Sequence, residues 1–403
     1  MKRTADKPVA KLDFANFESP PGSPDDPASQ TINSGLLASP ALDLGGSVLV
    51  NTRALIEDVL KQPLLFSSED VVEQGNTLRL VPLNIDPPEH VRYRKLLDPL
   101  FAPRRIDVLE DDIAARVNHF LDRFVERGSC DFTAEFAELF PSSVFLGMMG
   151  LPWEELDALV AMRDGILRPG TRAMTPEERS AIQRDTAQQV YRYFDAVLDE
   201  RTAHPQDDIL THFTTAEADG ERLTRDEMLS ICFVMLTAGL DTVTDSLTCF
   251  WAYLAQHPEH RQAIVDDPGV IPNAVEELLR WETPVPSGVR WAREDTEVGG
   301  CPVEAGHHVL VNISAANLDP AEYDDPMVVR FDRDVNRHLS FGGGVHRCLG
   351  SHLARRELRV ALREWHRRIP EYSLSPGYQV TYKPPLRFVP DLQLSWDTAT
   401  VRP

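Results

Sequence analysis

Paired cysteines are missing from this 403-residue sequence. Its five cysteines, at 130, 232, 249, 301 and 348, are scattered, with no CxxC spacing. That excludes a zinc ribbon or a disulfide framework and suits a reducing cytoplasm. No apolar run follows Met1-Lys-Arg-Thr-Ala-Asp-Lys-Pro, so neither a signal peptide nor a membrane anchor is expected. The strongest apolar stretch, Cys232 to Leu240, reads as too short to cross a bilayer and meets Asp241 at once. Positive charge is scarce: 41 Lys and Arg face 63 Asp and Glu, a formal net charge of -22. That sign argues against a nucleic-acid partner and for a soluble chain, here expected to be a monomer. No Gly-x-Gly-x-x-Gly follows a strand, no cysteine cluster suits iron–sulfur, and no internal repeat occurs.

What is present is mainly helical. Residues 18–45, rich in Pro, Ser, Asp and Gly, read as irregular, and residues 1–45 as an N-terminal segment ahead of one domain spanning 46–403. Ser47–Val50 reads as a strand and Arg53–Lys61 as a helix. Helical patterning dominates from Pro88 to about Glu282, broken at Pro169-Gly170 and His204-Pro205. The longest helix expected runs from Arg225 to Gln256. Thr224 and Glu227 form a capping box at its start, and His257-Pro258 ends it. Gly288–Ala292 and His307–Val311 read as β-like runs, and a further helix is expected from Leu349 to about Arg368. The fold class is therefore mainly α with a smaller β-rich part.

Two places carry unusual chemistry. In Phe341-Gly-Gly-Gly-Val-His-Arg-Cys348-Leu-Gly350, three glycines precede a cysteine at an expected helix start. Glycine tolerates uncommon dihedrals and close approach of a bulky group. A helix N-terminus favours thiolate over thiol. Within the long helix, Ala238-Gly239-Leu240-Asp241-Thr242 places a charge and a helix-weakening glycine inside an apolar run. Two readings stay open on residues alone. Either the helix opens locally around a small molecule, or Asp241 faces solvent and Gly239 allows close helix packing.

The cysteine loop resembles that of the cytochrome P-450 family, Phe-Gly-x-Gly-x-(Arg/His)-x-Cys-x-Gly. It matches at Phe341, Gly342, Gly344, His346, Cys348 and Gly350. The resemblance extends from roughly Gly45 to Trp396 and is nearest to the soluble bacterial class, including camphor-hydroxylating members. It implies a helical fold enclosing haem b, with Cys348 as the axial thiolate to iron. It also implies that Asp241 and Thr242 are the acid–alcohol pair that activates dioxygen by proton relay, next to Ala238 and Gly239. His90, Arg94, Arg290 and His346 then become the cations for the haem propionates, where arginine suits bidentate pairing. Glu277, Arg280 and Arg333 become a structural ion triad, and Asn317, Asp319 and Pro320 fit a family turn.

With no nucleotide or cluster motif of its own, the chain is expected to draw electrons from a ferredoxin and an NAD(P)H-dependent reductase. The candidate docking cations are Arg92, Lys95, Arg104, Arg105, Arg347, Arg355, Arg356 and Arg359. Substrate choice is expected from Glu69 to Asn84, from Leu167 to Gln189 with a mobile lid at Ile166–Arg172, from Trp281 to Val289, and from Val234 and Leu240. The apolar content of the first stretch points to a hydrophobic substrate of small or medium size. The resulting expectation is a monooxygenase that hydroxylates such a molecule. The alternatives are a peroxide-driven peroxygenase and a haem-binding sensor.

Overall fold

The computed structural model describes residues 12–13, 39–171, 175–218, 220–383 and 386–403. Most of the N-terminal segment therefore lies outside the described residues. Its end does not: Ala41–Asp43 is a strand, not irregular chain, because it pairs antiparallel with Ser47–Val50. These begin a five-stranded sheet whose order continues through His308–Asn312, Ser287–Ala292 and Phe66–Ser67. Ser47–Val50 runs parallel to His308–Asn312, with Val48 opposite Val309. The next pair is antiparallel and sets Arg290 opposite Val309. Along Ser287–Ala292, Val289 and Ala292 are buried and Arg290 is partly accessible.

The helical body is organised by one helix, Arg225–Gln256. Both halves of its capping box form: Glu227 N–H donates to Thr224 Oγ1, and Thr224 N–H donates to Glu227 Oε2 at 2.6 Å. His257 ends it, and Pro258 opens the next helix. At ~1.5 Å per residue the helix is about 48 Å long, enough to cross the molecule. Its apolar character reaches well beyond residues 232–240. By length and composition the helix could cross a membrane, but 67% of its most apolar window is buried inside the protein, as befits a core helix.

Around it the core is aromatic. Phe132 stacks on Trp251 at 4.9 Å, and Trp365 meets Trp251 edge-on at 5.6 Å. Such pairs add ~0.5–1.5 kcal/mol each beyond the area they bury. Trp365 comes from Ser351–Arg368, so this contact fixes the helix that follows the cysteine loop against the central helix. A second, smaller core lies between the sheet and Arg53–Lys61, built on Val50, Ile56, Val309 and Val311.

Candidate functional site

The cysteine loop is shaped by its glycines. Gly342 and Gly344 have φ of 66° and 63°, in the left-handed region that favours glycine. A Cβ at Gly344 would also collide with the carbonyl of Leu60. Cys348 N–H closes the loop on Phe341 O at 2.9 Å. The following helix begins at Ser351, not Leu349, so Cys348 precedes its first turn by three positions. The expected dipole effect is correspondingly weaker. Burial pushes the Cys348 thiol up, while the Gly350 N–H and the charges of Arg347, Arg94 and Arg355 pull it back only in part. Cys348 presents accessible surface although protein crowds it. A thiol in this setting becomes fully anionic when it coordinates a metal. Of the other cysteines, 130, 232 and 249 are buried in the core and 301 sits in a short hairpin.

The four expected propionate cations come together beside this loop. His90 and Arg94 lie on Glu89–Leu97. The His90 and His346 rings are 4.4 Å apart, and Arg94 Nη1 donates to Arg347 O at 2.8 Å. Arg290 and His346 line one cleft of about 110 Å³ with Gly342, Gly343 and Gly288. Burial lowers His90 to about 4, helped by His346 and Arg94, and lowers Arg290 to about 10. His90 Nε2 and His346 Nε2 are buried without a hydrogen-bond partner. Orphaned ring nitrogens beside a cramped arginine are the donor set that two carboxylates would satisfy, so these residues fit haem.

Asp86 is a hub that residue reading missed. Its carboxylate takes Ser68 N–H at 3.0 Å, Arg293 Nη2 at 2.8 Å and the Ser67 hydroxyl at 2.5 Å. Burial pushes this carboxyl up, but these donors and nearby His346 hold it well below the usual range. His346 Nε2 is 3.9 Å from Asp86 Oδ1, beyond hydrogen-bond reach.

On the central helix, only Ala238 and Gly239 are exposed between Leu229 and Leu254, with Val234 and Thr242 partly so. Positions 234, 238 and 242 repeat every four residues and form one stripe. Neither open reading of Gly239 holds. The helix is α-helical throughout, with Thr242 Oγ1 donating to Ala238 O at 3.1 Å. A Cβ at Gly239 would meet only Phe145, at 3.8 Å, so close packing does not require glycine. Leu240, expected near the substrate, is fully buried away from the stripe.

Asp241 does not face solvent. It is 3% exposed, and Arg168 Nη2 lies 2.5 Å from its Oδ1 and 3.1 Å from Asp245 Oδ1. Arg168 follows the helix Leu156–Leu167, within the stretch expected to be a mobile lid. Its ion pairs and its position over the Phe388 ring, at 4.3 Å, anchor it instead. Residues 172–174 of that stretch lie outside the described residues. From Pro176 onward the chain is an ordered helix to Ala203, so most of Leu167–Gln189 is not a loop. The Glu69–Asn84 segment is likewise pinned, since Val81 N–H donates to Ser230 Oγ at 2.8 Å.

The structural triad assembles. Glu277 and Arg280 are fully buried and joined by two hydrogen bonds of 2.7 and 2.8 Å, and Arg333 Nε reaches Glu277 at 3.0 Å. Asn336 adds a fourth donor at 2.9 Å. The expected basic docking face needs correcting. Arg355 is held by Glu276 through Nε and Nη2, both at 2.8 Å, and stacks over Phe341. Arg92 pairs with Glu227, Arg359 with Glu276, and Arg356 with Glu110 and Asp107. Arg104, Arg105 and Arg347 stay exposed. Of the expected turn, Asn317 is fully buried and Asp319 accepts the Arg53 N–H at 2.9 Å.

Comparison with known proteins agrees with this arrangement. Residues 157–267 and 269–375 match the family model described as Cytochrome P450. The probable cytochrome P450 127A1 of Sinorhizobium fredii is 36% identical over 304 residues, 75% of this chain and 71% of that one. The steroid C26-monooxygenase of Mycolicibacterium smegmatis is 30% identical, over 85% of each. The crystal structure of CYP109E1 from Bacillus megaterium in complex with testosterone superposes with a TM-score of 0.83 at 25% identity, covering 91% of this chain and 96% of that one. The chain belongs to the cytochrome P450 family. It is thus an oxygenase of the bacterial type, and its cofactor is haem b, which the family holds by a cysteine thiolate.

Proposed function

We propose that this enzyme hydroxylates a hydrophobic molecule of small to medium size, with Cys348 as the thiolate ligand and electrons from a ferredoxin and its NAD(P)H-dependent reductase. When bound, haem supplies the redox centre at which dioxygen is reduced and one oxygen atom is transferred to substrate. The observation that carries this reading is the pairing of two features. One is an accessible cysteine in a glycine-shaped loop beside His90, Arg94, Arg290 and His346. The other is an accessible stripe, Val234–Ala238–Thr242, on an otherwise buried helix. His90, Arg94, Arg290 and His346 would hold the propionates of a bound haem. Ala238 and Gly239 leave the stripe accessible to a small molecule. Thr242 and Asp241 deliver protons, Thr242 from the stripe and Asp241 from the ionic cluster behind it.

The names of relatives support a largely apolar substrate without fixing its class: steroid C26-monooxygenase, mycinamicin IV hydroxylase/epoxidase, the testosterone complex of CYP109E1 and the hexadec-9Z-enoic acid carrier-protein complex of P450BioI. The docking face is smaller than the count of basic residues implies. Exposed Arg104, Arg105 and Arg347, with Val108 at 77% exposure, form it. An acidic iron–sulfur protein is the complementary partner. Free cysteines throughout the described residues fit the cytoplasm. The test is turnover of a steroid or macrolide panel with NADH, ferredoxin and reductase. Product should form, and Thr242→Ala should divert the electrons to peroxide. Product formed equally well by Thr242→Ala would overturn the relay role.

A further inference from the structure

Behind the central helix, six ionisable side chains are packed into one site. Arg163 and Arg168 carry the positive charge. Glu138, Asp164, Asp241 and Asp245 surround them, with contacts between 2.5 and 3.8 Å. Glu138 comes from the N-terminal end of Leu139–Met148, Arg163 and Asp164 from Leu156–Leu167, and both aspartates from the central helix. Four carboxyls thus share two guanidiniums. In an interior of low dielectric, such a set cannot keep every carboxyl ionised.

Asp241 and Asp245 are one turn apart and share one Arg168 nitrogen: Nη2 donates a hydrogen bond to Asp245 Oδ1 at 3.1 Å, and it lies 2.5 Å from Asp241 Oδ1 as an ion pair without hydrogen-bond geometry. Asp245 is 0% exposed, and its Oδ2 is buried with no donor within reach. An oxygen of that kind is costly when charged. Burial pushes the Asp245 carboxyl far up, the neighbouring Asp241 charge pushes it further, and Arg168 and Arg163 offset only part. Glu138 is also raised, chiefly by burial, but it is 24% exposed and reaches solvent.

We propose that Asp245 is a positioning residue for Asp241: it stays protonated in the resting enzyme and so leaves the shared Arg168 charge to Asp241. This rests on the reading of Asp241 as the proton-delivering acid. The proton on Asp245 keeps the cluster near balance and holds Arg168 at 2.5 Å from Asp241. Ionisation of Asp245 strengthens its hydrogen bond to Arg168 and weakens the Arg168–Asp241 ion pair, leaving Asp241 mainly to Arg163 at 3.8 Å. The placement of Arg168 immediately after Leu156–Leu167 ties this balance to the helix pair on that side of the molecule.

The test has a spectroscopic arm and a kinetic arm, both on the holoenzyme. In infrared difference spectra of the resting ferric enzyme, a protonated-carboxyl stretch that shifts in deuterium oxide should vanish in Asp245→Asn and persist in Asp241→Asn. Asp245→Ser, also neutral, carries the same expectation if the asparagine variant does not fold. A band unchanged in both neutral variants of Asp245 would overturn the proposal. In turnover, the fraction of NADH electrons recovered in product should fall in the wild type as pH rises above neutral, and Asp245→Asn should flatten that profile. A profile as steep in the variant as in the wild type would also overturn it. Asp241→Asn reports separately on the underlying reading. If it couples electrons to product like the wild type, the role of Asp241 fails, whereas the infrared band still decides the protonation of Asp245.

Discussion

Glu277 has no exposed surface and is held by Arg280, Arg333, Asn336 and the Arg330 N–H. Removing its charge strands two guanidiniums in the interior. Glu277→Gln should therefore cost about 3–5 kcal/mol of stability, read as a drop in the denaturant midpoint. A loss under about 1 kcal/mol would place the pair among weak ionic contacts. Its neighbour Glu276 gives a pH signature. Burial raises its carboxyl, but His338 and Arg355 outweigh that and bring it down to about 2. The folded-state value lies below the unfolded one, about 4.3. The stabilisation is therefore present above about pH 4 and is lost as pH falls toward 2. Melting curves of Glu276→Gln should lie below those of the wild type at pH 7 and converge with them in acid. A gap that widened in acid would contradict the assignment. At this scale the sequence was most legible where a family motif fixes several positions at once, as with the loop around Cys348 and the Glu277–Arg280 pair, whose roles the resemblance implied. Asp86 and Asp245 were illegible because their partners, Arg293 and Arg168, are remote in the chain and meet them only through packing.

The elements divide the same way. The central helix ends where its capping box and His257-Pro258 place it, because those signals are local. Thr224→Ala should remove one half of the box and cost about 1 kcal/mol in chemical denaturation. No measurable loss would show that tertiary packing alone fixes that end. Tertiary contacts decided the places where local reading erred. Ala41–Asp43 is a strand because Ser47–Val50 offers it an edge, not because its composition favours one. The cysteine loop holds Gly344 against the Leu60 carbonyl, and its helix starts at Ser351. Gly344→Ala meets both the collision and the left-handed φ, so it should reduce the haem content of purified protein, measured as Soret absorbance per chain. Full incorporation would show that the loop can move aside.

At the scale of the molecule, the net charge of -22 is uneven in its consequences. Acidic partners already hold many of the basic residues near the cysteine loop, and these rigidify the fold more than they steer a partner. Reductase-driven turnover should still slow with rising ionic strength, and charge reversal at Arg104 and Arg105 should slow it at low salt. Rates independent of salt would remove the electrostatic docking face from the account. The family and the helical architecture were readable because a six-position motif and a long capped helix are both local patterns. The substrate was not, since no local motif encodes the shape of what meets the accessible stripe.

The proposed chemistry depends on Cys348 as the thiolate that holds iron. The most direct measurement is the absorption of the reduced protein under carbon monoxide. The strongly red-shifted Soret band of thiolate ligation is expected, and it should be lost in Cys348→Ser. A band at the position typical of histidine ligation, or one unchanged in Cys348→Ser, would contradict thiolate ligation by Cys348.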